Sequence, residues 1–207
     1  MEVFTMPVGM LAANCYIVYE GKNAVLIDPG DEADRILEKV GEKSLAVSHI
    51  LLTHGHFDHI GAVEEVKRQA GAQVCIHTGD ADMLTSADKN LSRMIGMPYA
   101  TAGADTLLSD GEVILTGGLE IKVIATPGHS PGGVCFAAGD CLFTGDTLFQ
   151  GSAGRTDFPG SSTAILSESL QKLNTMSGDF KVFPGHGPST TLEAEKRSNP
   201  FMRGAIW

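Results

Sequence analysis

Seven residues, Thr53-His54-Gly55-His56-Phe57-Asp58-His59, follow directly on the apolar run Ile50-Leu51-Leu52. They bring three imidazoles and a carboxylate into one short segment. Imidazole nitrogen and carboxylate oxygen are the donors that a borderline divalent cation takes. A single tetrahedral ion rarely draws four ligands from so short a stretch, so the segment points to more than one metal ion. Three further segments each place one such side chain in a turn after an apolar strand. Ile124-Ala125-Thr126-Pro127-Gly128-His129 delivers His129, Leu142-Phe143-Thr144-Gly145-Asp146 delivers Asp146, and Val182-Phe183-Pro184-Gly185-His186 delivers His186. Glycine and proline ahead of the ligand let the chain turn sharply at a strand end. The candidate ligands are thus His54, His56, Asp58, His59, His129, Asp146 and His186. Asp146 is the natural bridge, because a carboxylate binds two ions through its two oxygens and a neutral imidazole does not.

A lone histidine in a turn is usually a solvated or hydrogen-bonded one, and His129 or His186 by itself would be read that way. His54, His56, Asp58 and His59 together resist that reading. Four polar groups clustered behind a buried strand are costly to desolvate without a partner. His49 and His77 lack the glycine-bearing turn and are read as structural or as supports of the ligands. Asp28 is read as a capping residue that holds the Asp28-Pro29-Gly30-Asp31 turn, with a hydrogen bond to a ligand imidazole as its other option.

The elements that must position these groups can be read from the pattern. Short strands are expected at 3–5, 15–19 and 24–28, then a helix from an Asp31 or Glu32 cap to about Val40. A near-continuous apolar strand spans 47–52, buried on both faces, before a helix over 60–70 and a strand at 74–77. One or two short helices fill 80–95, and 96–105 is the connection. Strands follow at 113–115, 119–125, 134–138 and 141–144. A helix capped by Ser161 or Ser162 runs to about Met176, with Ile165, Leu166, Leu170 and Leu173 inward. A strand at 181–183 and a helix over 191–198 close the chain. Strands and helices therefore come in two rounds. That pattern implies an α/β fold of two mixed sheets packed face to face with helices outside, a four-layer αββα sandwich.

The chain has 207 residues and is 43% hydrophobic, enough for one sizeable core, so residues 1–207 are expected to form a single domain. Its net charge of −10 repels phosphate backbones and argues against nucleic acid as a partner. Cys15, Cys75, Cys135 and Cys141 form no CxxC pair and lie in strand-like runs, so buried free thiols are expected. The N-terminal residues carry no basic segment followed by an apolar one, and no apolar run approaches the ~20 residues of a membrane span. A cytoplasmic protein without a membrane partner is expected.

The ligand set His54-x-His56-x-Asp58-His59, His129, Asp146 and His186 resembles that of the metallo-β-lactamase superfamily, over essentially the whole chain. The resemblance implies the αββα sandwich with two metals in a cleft at the edge of the sheets. It puts His54, His56 and His129 on one ion, Asp58, His59 and His186 on the other, and Asp146 between them. The best-known β-lactamase subclass has a cysteine at the position of Asp146, and flavodiiron proteins have a glutamate at that of His56. Ribonuclease branches usually carry long extra domains. The remaining resemblance is to the short, single-domain glyoxalase II-like hydrolases. It is carried by Phe143-Thr144-Gly145-Asp146-Thr147-Leu148-Phe149, by Gly154-Arg155-Thr156-Asp157-Phe158 and by Glu195-Lys196-Arg197-Ser198-Asn199-Pro200-Phe201.

That resemblance implies hydrolysis of a small-molecule thioester such as S-(2-hydroxyacyl)glutathione. A hydroxide bridging two ions, zinc first and iron or manganese next, attacks the carbonyl. Asp58 is the catalytic carboxylate as well as a ligand. The usual glutathione-binding residues belong to a C-terminal domain absent here and are not carried over. Arg155 is read as pairing with Asp157 or another carboxylate. The sequence is similar almost as well to mono-iron persulfide dioxygenases, which oxidise glutathione persulfide with iron held by the equivalents of His54, His129 and Asp146. A purely structural metal protein is the third reading, and ligand positions left open argue against it. Finally, the apolar tail of Phe201, Met202, Ile206 and Trp207 is expected to dock on the domain or on a second subunit, where it would mediate a dimer.

Overall fold

The computed structural model describes residues 1–204. Strands β1 (Glu2–Val8), β2 (Ala13–Glu20) and β3 (Asn23–Ile27) form an antiparallel meander, joined in parallel by β4 (Ala46–Leu52), β5 (Gln73–His77) and β6 (Thr106–Leu108). Between them lie α1 (Ala33–Glu42), α2 (Phe57–Ile60), α3 (Val63–Ala70) and α4 (Ala81–Leu84). The second sheet has β7 (Val113–Thr116), β8 (Leu119–Ala125), β9 (Val134–Ala138) and β10 (Cys141–Gly145) antiparallel in sequence order. A small hairpin, β11 (Leu148–Phe149) and β12 (Ser152–Ala153), and helix α5 (Thr163–Asn174) precede β13 (Lys181–Pro184), which adds parallel to β10. Strand β14 (Thr190–Thr191) and helix α6 (Leu192–Ser198) follow.

Side-chain alternation along the strands builds the layers. Ile17, Leu26, Ile50 and Leu52 point toward the core beneath α1 and α3, while Tyr16, Val18, Val25 and Leu51 point to the opposite face. There they meet Ile121, Val123, Phe136 and Phe143 of the second sheet. Ile124, Cys135 and Leu142 turn outward to Leu170 and Leu173 of α5 and Leu192 of α6. Three buried layers between four structural ones give the αββα sandwich of two mixed sheets that the pattern implied. Tyr16, Phe143 and Phe183 pack ring to ring at 5.1–5.6 Å between the sheets.

The differences from the sequence reading have local causes. The helix expected over 60–70 starts later, as α3 at Val63, and Ile60 ends the separate α2; between them Gly61 passes so close to Gly30 that a Cβ there would lie 2.3 Å from the Gly30 carbonyl oxygen. Ile165 is exposed rather than inward; Leu166, Leu170 and Leu173 carry the stripe, joined by Ser169, whose hydroxyl donates to the Pro127 carbonyl. β6 and the β11–β12 hairpin, too short to show a period, were not anticipated. Ser162 does cap α5, accepting from Ile165 N. In the tail, Met202 is buried against the α5–α6 layer and its carbonyl accepts from Gln171. Ile206 and Trp207 lie outside the described residues. No helix among the described residues is long and apolar enough to cross a membrane.

All four cysteines are unpaired and buried. Burial pushes the thiols of Cys75, Cys135 and Cys141 up to about 11 and Cys15 higher still. A thiol-exchange reagent at pH 8 should therefore titrate less than one group per chain quickly in the native protein and four after denaturation; two or more fast native thiols would contradict this packing.

Candidate metal centre

The centre begins with Asp28, at the end of β3 in a left-handed conformation (φ 50°) and 1% exposed. It does not cap a helix, contrary to the sequence reading. The residue before α1 is Glu32, also left-handed, whose carboxylate accepts from Gly9 N and from the Arg35 guanidinium but from no backbone N–H of the helix. Asp28 instead accepts from Thr53 N at 2.7 Å, from the Thr53 hydroxyl at 2.6 Å and from His59 Nδ1 at 3.1 Å. The end of β4 and the start of α2 are thereby fixed to one carboxylate.

Four of the five imidazoles are oriented from behind. Thr53 spends its hydroxyl proton on Asp28, so its oxygen is an acceptor for His54 Nδ1–H at 3.1 Å. His59 Nδ1–H donates to Asp28, His129 Nδ1–H to the Arg155 carbonyl at 2.9 Å, and His186 Nδ1–H to the Leu11 carbonyl at 3.1 Å. In these four rings Nε2 faces inward. His56 presents Nδ1 instead, 3.0 Å from His129 Nε2. Supports of this kind fix the tautomer and aim of a metal-binding imidazole.

The inward atoms fall into two sets, His54 with His56 and His129, and Asp58 with His59 and His186, each within 4.8 Å of one another. Asp146 lies between them. Its Oδ2 is 3.5 Å from His129 Nε2 and 3.6 Å from His186 Nε2, and its Oδ1 is 3.5 Å from His59 Nε2. Asp58 Oδ2 is 3.3 Å from His186 Nε2 and 3.6 Å from His59 Nε2. All seven candidate ligands therefore converge. Asp28 with His54 and His59 makes a third grouping, but Asp28 is already filled by its three donors and stands behind the rings.

The residues fit divalent ions. His54 Nε2 and Asp146 Oδ1 are buried with no hydrogen-bond partner, a costly state for a polar atom. Nitrogens at about 2.05 Å from a tetrahedral ion stand roughly 3.3 Å apart, and the inward atoms here approach to between 3.0 and 3.6 Å. A cation in each set would satisfy both orphans.

The two sets differ electrically. Burial and then the neighbouring His129 push His56 down to about 3, and burial with four histidine neighbours holds His54 well below its ordinary value. His59 is pushed the other way. Burial would lower it, but Asp58, Asp146 and Asp28 outweigh burial and raise it to about 10. Burial alone would raise Asp58; His59 and His186 overcome it and hold the carboxyl well below the usual range.

Two glycines are there for space. A Cβ on Gly185 would sit 2.1 Å from Asp146 Oδ1, and Gly145 (φ 47°) would drive a Cβ to 2.3 Å from Thr53 Oγ1. The site opens to a cavity of about 420 Å³ walled by Phe149, Phe158 and Arg155. The Arg155 guanidinium pairs with both oxygens of Asp157 at 2.6 Å, as expected, and lies over the Phe158 ring. His49 bonds to Ser48 and His77 accepts from Gly79 N in a turn; neither joins the centre.

The sequence reading missed Asp80. This fully buried carboxylate accepts from Gly55 N at 3.2 Å, from the Ser130 hydroxyl at 2.6 Å and from Gly132 N at 2.5 Å. It ties the His54–His56 loop to the loop after His129. A signal was present: Thr78-Gly79-Asp80 follows β5 as Thr144-Gly145-Asp146 ends β10. Asn14 was also missed. Its Nδ2 donates to the Pro184 and Gly187 carbonyls at 2.9 Å each and frames the turn of His186.

The sequence matches the metallo-beta-lactamase superfamily over residues 8–186. It is 35% identical to the hydroxyacylglutathione hydrolase GloC of Haemophilus influenzae, over 98% of both chains. Among solved structures, BLEG-1 B3 metallo-beta-lactamase superposes with a TM-score of 0.93 at 38% identity, covering 97% of this chain and 99% of that one. TTHA1623, solved in a di-iron-bound form, gives 0.87 at 39% identity, covering 96% and 100%. ETHE1 from Myxococcus xanthus gives 0.83 at 30% identity, covering 99% and 85%.

Asp80→Ala would leave two buried N–H groups and a hydroxyl without their acceptor. A loss of about 2–4 kcal/mol of stability is expected, read from urea unfolding; a loss under about 1 kcal/mol would show that the carboxylate does not tie the loops.

Proposed function

This chain belongs to the metallo-beta-lactamase superfamily, and we propose that it is a dinuclear metal-dependent hydrolase of thioesters, S-(2-hydroxyacyl)glutathione among them. The observation that carries the reading is the pair of inward-facing ligand triads flanking one shared carboxylate, with two orphaned polar atoms at its centre. His54, His56 and His129 would hold one ion, Asp58, His59 and His186 the other, and Asp146 would serve both. Zinc is the proposed ion, and iron or manganese suits the same donors. Bound there, the two ions supply Lewis acidity and bring water toward ionisation near neutral pH.

The chain's own residues do the rest. Asp58, held ionised by His59 and His186, presents a carboxylate at the cavity floor that orients the attacking water. Phe158 stands edge-on to the His56 ring and shields it from solvent. The water oxygen bonds to the carbonyl carbon, the carbon–sulfur bond breaks, and the departing thiolate ends with a proton from that water. A leaving thiol of pKa about 8.5 needs no strong general acid. No cysteine stands among the candidate ligands to act as a nucleophile, and four unpaired thiols suit the reducing cytoplasm. Residues 1–207 are proposed to act as one domain on a small-molecule substrate.

Two other readings stand beside this one. The sequence resembles mono-iron persulfide dioxygenases almost as well, and likeness to BLEG-1, a B3 metallo-beta-lactamase, supports lactam hydrolysis. Asp146 sets aside only the cysteine-bearing lactamase branch, so it does not remove the second of these. The test is metal analysis of protein purified without added metal, with thioester, glutathione persulfide plus O₂, and β-lactam assays on that sample. Two ions per chain and thioester turnover are expected. One iron per chain with O₂ consumption, or turnover of the lactam alone, would replace the proposal.

Asp58→Asn separates the metal arrangements. Thioester hydrolysis should fall at least ~100-fold, whereas a reaction run by one iron on His54, His129 and Asp146 would be largely spared.

A further inference from the structure

Ten large apolar side chains stand exposed among the described residues, and five of them, Met10, Leu11, Met94, Ile95 and Met97, lie in two short loops beside the metal centre. Clustered exposed apolar surface of this kind marks a binding surface. The loops are held in place. In the first, Gly9 N donates to Glu32 at 2.9 Å, Ala12 N donates to the Gly9 carbonyl, and the Leu11 carbonyl is the acceptor for His186. In the second, buried Asn90 and Ser92 grip both backbone groups of Tyr99, and the Asn90 carbonyl accepts from Phe57 N at 2.9 Å. Pinned backbones beside the ligand-bearing segments thus display side chains as exposed as Met10 (69%) and Met97 (58%).

Met10, Leu11, Ile95 and Met97, with Phe57 and Tyr99, line a cavity of about 180 Å³. It adjoins the central cavity, with Phe57, Asp58 and Ile95 lining both. Its charged side chains are Asp31 and Asp58, and no lysine or arginine lines it. Arg155 lines the central cavity and not this arm.

We infer that this arm receives the acyl half of the substrate as an uncharged aliphatic chain, while the thiol half lies along the Arg155 wall. The inference rests on the thioester reading. Aliphatic carbon gains from burial against these walls, and the flexible methionines adapt to chains of different length. A carboxylate on the chain would meet Asp31, with no lysine or arginine in the arm to offset it, so the arm also rejects anionic acyl groups. The reaction is unchanged: water adds to the carbonyl, the carbon–sulfur bond breaks, and the products are the carboxylic acid and the thiol.

The test uses metal-loaded full-length protein and thioesters of one neutral thiol, N-acetylcysteamine, with acetyl, butyryl, hexanoyl, octanoyl and succinyl groups. kcat/KM should rise by up to about fourfold per methylene, and succinyl should be at least ~10-fold poorer than butyryl. In Met10→Lys and Met97→Lys the octanoyl-to-acetyl ratio should collapse and the succinyl-to-butyryl ratio should rise. Each ratio is internal to one variant, so loss of folded protein does not mimic it. Turnover that is flat with chain length, or ratios unmoved in both variants, overturns the inference and leaves the thioester reading standing. No turnover of any member sinks that reading and the inference with it. Sedimentation showing a wild-type dimer that both variants dissolve, with unchanged ratios, would make the loops a self-association face instead.

Discussion

The centre depends on one buried carboxylate that lies outside the ligand triads flanking Asp146. Asp28 takes a backbone N–H and a hydroxyl from Thr53 and an N–H from His59. Those bonds set where β4 ends, which way the Thr53 lone pair points, and hence which nitrogen of His54 faces inward. A carboxylate at 1% exposure is tolerable only because all three donors are present. Neighbouring groups depend on the same arrangement. Gly145 must lack a side chain because Thr53 is fixed where a Cβ would be, and Val134 N reaches across from the other sheet to the Thr53 carbonyl.

Around that anchor the two triads, each drawing ligands from both sheets, form unlike halves of the site. The triad of His54, His56 and His129 contains no carboxylate. The triad of Asp58, His59 and His186 carries a carboxylate, with Asp28 behind His59. The same side-chain type is driven down in His56 and up in His59, and the difference is the count of carboxylates within reach. Two such half-sites have different ligand charge, so a cation meets different affinities in each. Asp146 couples them.

Much of this was legible in the residues. The seven candidate ligands follow apolar strands at glycine-bearing turns, and that pattern is local, so the chain itself displays it. The four-layer order was legible because alternation in strands such as Tyr16-Ile17-Val18 declares two buried faces. What stayed hidden depends on contacts distant in sequence. Asp28 looked like a turn cap because its partners lie 25 and 31 residues away. Asp80 binds groups 25 to 52 residues distant. The Leu11 and Arg155 carbonyls that aim two ligand rings have no side-chain signature at all.

The turn that carries His186 has a further consequence. It is held by the opposite end of the chain: Asn14 N donates to the Gly185 carbonyl at 2.7 Å, Tyr16 and Asn14 both donate to Pro184, and Leu11 receives His186, across separations of 168 to 175 residues. Closing a loop that long costs chain entropy before the contact returns anything, and contacts of this separation form late. On a growing chain, His54, His56, Asp58 and His59 emerge well over a hundred residues before the segment that completes their pocket. The centre is thus a clasp between β2 and the turn after β13, and cations held by all seven candidate ligands would favour the chain that has folded end to end.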